Sequence, residues 1–319
     1  MIFASWKEYR LSRLMLGTAQ FGKPYGVANR AGQLGEAEVR AIVAAALAGG
    51  VNCFDTAAAY GPSEELLGRA LVELGAAEQV VVVTKINPLT DEAQADPAAA
   101  AEAIEQSVAE SRLRLRMDCL PVVLFHREAD AMHGDALRRL AERGWLRHAG
   151  VSCENCPGPA AEFVADDRFA AVQLPGNLLD RRHRRSGVFA LAADRGVAVF
   201  LRSVYLQGLL VMPETEIPAA LKEIVPVRGR LENIARDAGL SLAELALRSM
   251  LAAEGATCIL TGVETVEQVR ENLEMFDRGP LPADVLAAVD AAVPELPEAL
   301  ITPALWPPRS VLAAGAKCE

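Results

Sequence analysis

The sequence predicts one (β/α)8 TIM barrel spanning residues 1–319, and three observations predict it. Eight short apolar runs alternate with longer segments of helical periodicity. Many of these runs end on a polar side chain: Asp55, Lys85, His126, Ser152, Gln173 and Arg202. No Gly-x-Gly-x-x-Gly follows the first run, so the usual mark of an open dinucleotide-binding sheet is missing. Eight alternating strands admit a closed barrel or an open doubly wound sheet. The barrel is favoured because it brings every run end to one rim, whereas an open sheet spreads them along an edge.

The runs, in order, are Arg13–Gly17, Val51–Asp55, Val80–Lys85, Pro121–His126, His148–Ser152, Ala170–Leu174, Val197–Arg202 and Thr257–Thr261. Continuous apolar runs of this length suit strands buried on both faces, as in a parallel sheet. The segments between them read as helices. After Glu36, the side chains of Val39, Ile42, Val43, Ala46 and Leu47 share one face. Asp96-Pro97 is an N-cap followed by proline at the first helical position. Ser241 with Glu244, and Thr265 with Gln268, have capping-box spacing. Gly49, Gly50 and Gly144 end helices. Residues 208–232, less regular and with several prolines, are expected to form a loop over the rim, and residues 293–319 to lie near it.

Composition narrows the function. The chain has 319 residues, 51% of them hydrophobic, enough for one large core. Its formal charge of −10 argues against nucleic acid as a partner, since phosphate neutralisation needs clustered cations. The basic run from Asp180 to Arg185 reads as a solvated helix start. No apolar stretch is long enough to span a membrane and the first residues lack the apolar core of a leader, so a cytoplasmic location is expected. The six cysteines are then thiols, and Cys153 and Cys156, though spaced C-x-x-C, read as incidental. The four histidines show no paired ligand spacing, so no metal site is expected.

Four residues at or just after the ends of runs two to four carry candidate chemistry: Asp55, Tyr60, Lys85 and His126. A phenol is a poor acid near neutrality unless its anion is stabilised. A nearby ammonium lowers its pKa, a carboxylate keeps that ammonium charged and oriented, and an imidazole can hydrogen-bond a substrate oxygen. Together they would form a proton relay aimed at a carbonyl.

Here the chain resembles the aldo-keto reductase family. The likeness rests on Phe54 to Glu64 with the following Glu65 to Ala70, on Val83-Thr84-Lys85, on Leu124-Phe125-His126, on Gly144 to Ser152, on Val172-Gln173-Leu174 with Asn177 to Leu179, and on Thr261 to Gln268 with Glu271-Asn272. It runs from about Leu14 to Asn272 in family order. The resemblance implies reduction of an aldehyde or ketone, sugar-derived carbonyls among them, by NADPH or NADH. It implies that Tyr60 is the general acid, that Lys85 paired with Asp55 tunes it, and that His126 orients the carbonyl. Gly17, Thr18, Ser152, Gln173, Arg202, Ser203, Leu206, Gly208, Gly262, Glu264, Gln268, Glu271 and Asn272 would hold the cofactor.

Three departures stand out. Cys153 occupies a position where the family commonly has Asn, with Asn155 as a substitute. Arg202 stands where many members place an aromatic ring under the nicotinamide. Gly262 and Gln268, with Glu264 between them, replace cations that discriminate for a 2′-phosphate, with Arg270 as a compensating charge; preference between NADPH and NADH stays open. Trp306, on the segment Ile301 to Arg309, is the best aromatic candidate for shaping the pocket, ahead of Trp6 and Trp145. Two other functions stay open: a cofactor-binding regulatory subunit with little turnover, and a lyase using Lys85 as a Schiff base. Oligomeric state is not legible.

Overall fold

A computed structural model describes residues 1–29 and 32–307. Eight parallel strands close into a barrel: β3 (Leu14–Gly17), β4 (Cys53–Asp55), β5 (Val81–Lys85), β6 (Leu120–Phe125), β7 (Leu146–Ser152), β8 (Ala171–Pro175), β9 (Ala198–Arg202) and β10 (Cys258–Gly262). Closure pairs β10 with β3, so that Gly262 lies opposite Gly17. All eight predicted runs are barrel strands, trimmed or shifted by a few residues. Helices ring them, among them Glu36–Ala48, Pro97–Leu115 and Val266–Asp277. The N-caps form: Asp96 accepts from Ala98 N, Ser241 from Glu244 N and Thr265 from Gln268 N, but the return half of each box does not, Glu244 pairing with Arg248 and Gln268 accepting from Glu264 N.

Each barrel strand alternates between two environments. Met15, Cys53, Val83, Val122, Leu124 and Phe200 belong to the barrel interior. Their neighbours Leu16, Phe54, Val82, Val123 and Leu201 pack with the surrounding helices. The same parity carried to the strand ends puts Gly17, Asp55, Lys85, Gln173, Arg202 and Gly262 in the uppermost inner layer. The site is therefore the layer of the barrel that polar residues occupy in place of apolar ones.

Two further strands, β1 (Phe3–Trp6) and β2 (Tyr9–Ser12), form an antiparallel hairpin ahead of the barrel. Trp6 and Leu11 join the interior cluster, and Trp6 Nε1 donates to Gly196 O at 3.2 Å, just before β9. The hairpin thus plugs the end opposite the site. Its four-residue strands are too short to show a pattern in the sequence.

Residues 208–232 are more ordered than the sequence reading had them. Two 3-10 turns, Glu214–Glu216 and Ala219–Ile224, lead into a helix, Val225–Asp237, whose proline sits in its first turn. This stretch and the end of the described chain share a second core with Leu178 and Leu206, which follow β8 and β9.

The basic run is solvated only at Arg185, and the residues before it are engaged. Arg181, with its side chain 5% exposed, donates to Asp290 Oδ1 at 2.8 Å and to the carbonyls of Asp290 and Val293. Arg182 bridges Asp180 and Glu298, and Arg184 reaches Asp290. Acids more than a hundred residues away decide its environment, which a local reading does not see. Arg181→Ala removes a charged donor from two carbonyls and should cost about 2 kcal/mol. Urea unfolding measures this, and an unchanged midpoint would mean that the clamp contributes nothing.

Candidate active site

Asp55 closes β4 and Lys85 closes β5. Lys85 Nζ donates to Asp55 Oδ1 at 2.7 Å and to Thr56 O at 2.8 Å, and the side chains are 1% and 5% exposed. From across the barrel, Gln173 Nε2 donates to the same Asp55 oxygen at 2.7 Å. Burial pushes the Lys85 ammonium below its ordinary pKa, opposed by the Asp55 charge. Thr18 Oγ1 donates to Asp55 O, and Ser63 Oγ donates to Thr18 O, which ties β3 and β4 to the helix Ser63–Glu73.

Tyr60 lies in the turn after β4. Gly22 passes so close that a Cβ on it would meet Tyr60 O at 1.5 Å, so only glycine fits there. The Lys85 ammonium lies 5.2 Å from the phenol ring centroid. The His126 ring stands edge-on to it, with centroids 5.7 Å apart. The four predicted residues, scattered over three βα units, therefore converge.

Their electrostatics differ from the sequence expectation in one respect. Lys85 was expected to lower the Tyr60 pKa, but the phenol is pushed up, by burial first and then by the Asp55 carboxylate. Asp55 lies against Lys85 and offsets its charge, leaving desolvation to dominate. His126 is pushed down to about 3, by burial first and then by the cations Lys85, Lys23, Arg202 and Arg127. Its Nδ1 is buried without a hydrogen-bond partner. Tyr60 and His126 are thus both neutral at pH 7.

A cleft of about 420 Å3 spans the rim from Asp55 and Tyr60 to Glu271 and Asn272. This is within the ~300–1,000 Å3 usual for ligand clefts. Gly17, Gln173, Arg202, Ser203, Gly208, Gly262, Glu264 and Gln268 also line it. Arg202 Nη2 donates to Cys153 O at 2.8 Å and Nη1 to Ser203 Oγ at 3.1 Å, so its cation is held at the wall without a carboxylate partner of its own. Ser203, Leu206 and Gln207 all adopt left-handed backbone, with φ of 67°, 48° and 54°. Such conformations cost about 1 kcal/mol or more each and cluster at ligand sites. At the far end, Tyr205 Oη donates to Asn272 Oδ1 at 2.7 Å, and Gln268 Oε1 accepts from Glu264 N.

Some predicted contacts are not made by the cleft surface. The Leu206 side chain is 1% exposed inside the second core, and Thr18 is spent on the β3–β4 junction. Ser152 ends β7 buried and is not a lining residue. Asn155, the substitute for the missing Asn, donates to Asp180 Oδ2 instead. Trp306 is buried in the second core and donates to Leu300 O, so it does not shape the cleft. Trp145 lies between Arg112 and Arg143 outside the barrel. Pro308, Arg309 and Cys318 lie outside the described residues. Cys153 is buried, its thiol pushed up by burial, and Cys156 is exposed; both are free thiols.

Sequence reasoning missed the segment after β3. Gln20, Tyr25, Gly26 and Asn29 all line the cleft. Val27 N donates to Gln207 O at 3.0 Å, and Asn29 Nδ2 reaches Glu264 Oε1 at 2.8 Å. This strap joins the loop after β9 to the loop after β10. The only local signal was a cluster of Gly, Pro and Asn, which marks a turn but not its destination.

The barrel fold agrees with known proteins. The aldo/keto reductase family model matches residues 13–294. The oxidoreductase YqkF of Bacillus subtilis, itself uncharacterized, is 25% identical over 263 residues, covering 76% of this chain and 83% of its own. A probable voltage-gated potassium channel subunit beta of Arabidopsis thaliana is 26% identical over 330 residues, covering 92% and 98%. The structure of an aldo-keto reductase from Bacillus halodurans, AKR11C1 in its holo form, superposes with a TM-score of 0.76 at 23% identity, over 93% of this chain and 97% of that one. With a family model spanning nearly the whole barrel and a closed eight-stranded sheet beneath the converged rim residues, the chain belongs to the aldo/keto reductase family.

Proposed function

We propose that this chain reduces an aldehyde or ketone to the alcohol with a nicotinamide cofactor, Tyr60 giving the proton. The observation that carries this is the cleft-lining phenol of Tyr60, held protonated by burial beside a neutral imidazole. A bound nicotinamide would supply the hydride. Gln173, Arg202 and Ser203 would hold one end of it, and Glu271 and Asn272 the other. The donor set suits such a group: an amide and a cation by the acid, and polar side chains at the far end.

Tyr60 donates its proton to the carbonyl oxygen as negative charge develops there. The phenol's raised pKa keeps it protonated until then, and Arg202, the cation that acts on the phenol, favours the phenolate left behind. Neutral His126 keeps one N–H for the same oxygen and orients it. Gln173 and Lys85 fix Asp55 from two sides, so the pair does not swing. Lys85 Nζ, bound to Asp55 and Thr56 O and 1% exposed, offers no free amine for a Schiff base, which disfavours the lyase reading.

Gly262 and Gln268 bring no positive charge for a 2′-phosphate. Arg270, exposed, faces Glu267 at 3.8 Å and does not line the cleft. We therefore propose that NADH serves at least as well as NADPH. Among the described residues no helix is long and apolar enough to cross a membrane. A cytoplasmic location is proposed with this, supported by the free thiols of Cys53, Cys119, Cys153, Cys156 and Cys258.

Tyr60→Phe should lower kcat by about 100-fold or more while leaving the affinity for reduced cofactor, read by fluorescence titration, close to wild type. Wild-type turnover in that variant would remove the acid assignment, and no turnover by the wild type with any carbonyl would favour a regulatory role. His126 gives a pH prediction. Its ordinary pKa is 6.5 and its folded value about 3, so between those values the unfolded chain takes up a proton that the folded chain refuses. Stability should be lost as pH falls through that window, and His126→Gln should lose less between pH 7 and pH 5. Equal losses in urea melts would show that His126 is not held neutral.

A further inference from the structure

Lys23 is a half-buried ammonium beside the proposed acid, and the proposed chemistry does not use it. Its Nζ lies 4.8 Å from the Tyr60 ring centroid. No hydrogen bond or ion pair holds it among the described residues, whereas the other cations here are engaged. Lys85 is spent on Asp55 and Thr56 O. Arg127 is bound to both oxygens of Asp130 and to Leu89 O. Arg202 is tied to Cys153 O and Ser203 Oγ.

An unpaired ammonium is costly to bury unless a ligand supplies the counter-charge. Burial and the nearby Lys85 both disfavour the Lys23 charge, and no carboxylate is among the groups that act on it. Asp55, the acid of the reacting centre, is already shared between Lys85 and Gln173. Glu128, an acid on which the Arg202 charge acts, accepts from Glu154 N. In a chain of formal charge −10, the mouth over Tyr60 is therefore locally positive. Lys23 stands beside the Tyr60 ring, next to the cleft rather than among the residues that line it, while Glu271 and Asn272 mark the far end of the cleft.

We propose that Lys23 binds an anionic group on the substrate, so that the enzyme selects carbonyl compounds bearing a carboxylate or a phosphate close to the carbonyl. This rests on the carbonyl-reductase reading above. The substrate anion would complete the ion pair that the protein leaves open, and would orient the carbonyl toward Tyr60 and His126. Lys23 is thereby a specificity residue and moves no proton.

The test compares kcat/KM for matched carbonyls: succinic semialdehyde against butanal for a carboxylate, and glyceraldehyde 3-phosphate against glyceraldehyde for a phosphate. Wild type should prefer the charged member of at least one pair, and the pair that responds identifies the anion. Lys23→Met should reduce that charged-to-neutral ratio by about 10- to 100-fold, the worth of one charge-assisted hydrogen bond. Lys23→Arg should keep most of it. A mere effect on the acidity of Tyr60 would scale both members alike and leave the ratio unchanged; an unchanged ratio overturns the proposal. So does Lys23→Met weakening the binding of reduced cofactor without moving the ratio, which would give Lys23 to the cofactor. Should wild type reduce none of the four, the reductase reading fails, and binding then decides on Lys23. Glycerol 3-phosphate and 4-hydroxybutanoate are titrated calorimetrically into protein with reduced cofactor. Binding lost in Lys23→Met and kept in Lys23→Arg supports the anion site, and no binding, or binding equal in all three proteins, overturns it.

Discussion

A lysine and an aspartate with almost no exposure hold the rim of this barrel together. Burying two opposite charges is costly unless their geometry is close and their remaining polar atoms are satisfied. Here Lys85 and Asp55 meet at 2.7 Å, Thr56 O takes another ammonium hydrogen, and Gln173 supplies a second donor to the carboxylate. The arrangement fastens β4 to β5 and reaches across the barrel to β8. The phenol of Tyr60 rests beside it, kept protonated by burial first and by the Asp55 carboxylate second.

That pair also explains the charge balance of the cleft. With its charge offset, Lys85 does not make the phenol acidic; burial and the carboxylate keep Tyr60 protonated. His126 sees several cations and stays neutral. Lys23 stands over the same ring, and among the described residues no acid pairs with it. A rim built around one internal ion pair has no second carboxylate to spend on Lys23, while Arg127 is held by Asp130. The strained loop after β9 and the strap from Lys23 to Asn29 frame that space, joined by a backbone bond from Val27 N to Gln207 O. Three left-handed non-glycine residues in five positions are a local cost that the surrounding core offsets, with Leu206 as their buried anchor.

The sequence by itself determined the number and order of the barrel strands and, to within a residue, where they end, but not the β1–β2 hairpin. Period-two packing makes each strand end predictable as inward or outward, so Asp55, Lys85, Gln173 and Arg202 were legible as one layer once closure was assumed. Local chemistry determined the caps at Asp96, Ser241 and Thr265 as well, because an N-cap acts over three residues. The tertiary structure alone decided what depends on partners far along the chain. Arg181 proved to be a buried clamp because Asp290 lies a hundred residues on; Trp306 fell into a core, and Asn155 went to Asp180. The same holds for the protonation of Tyr60 and His126, and for the unpaired Lys23, since desolvation and Coulomb forces act across space and leave no periodicity in a sequence.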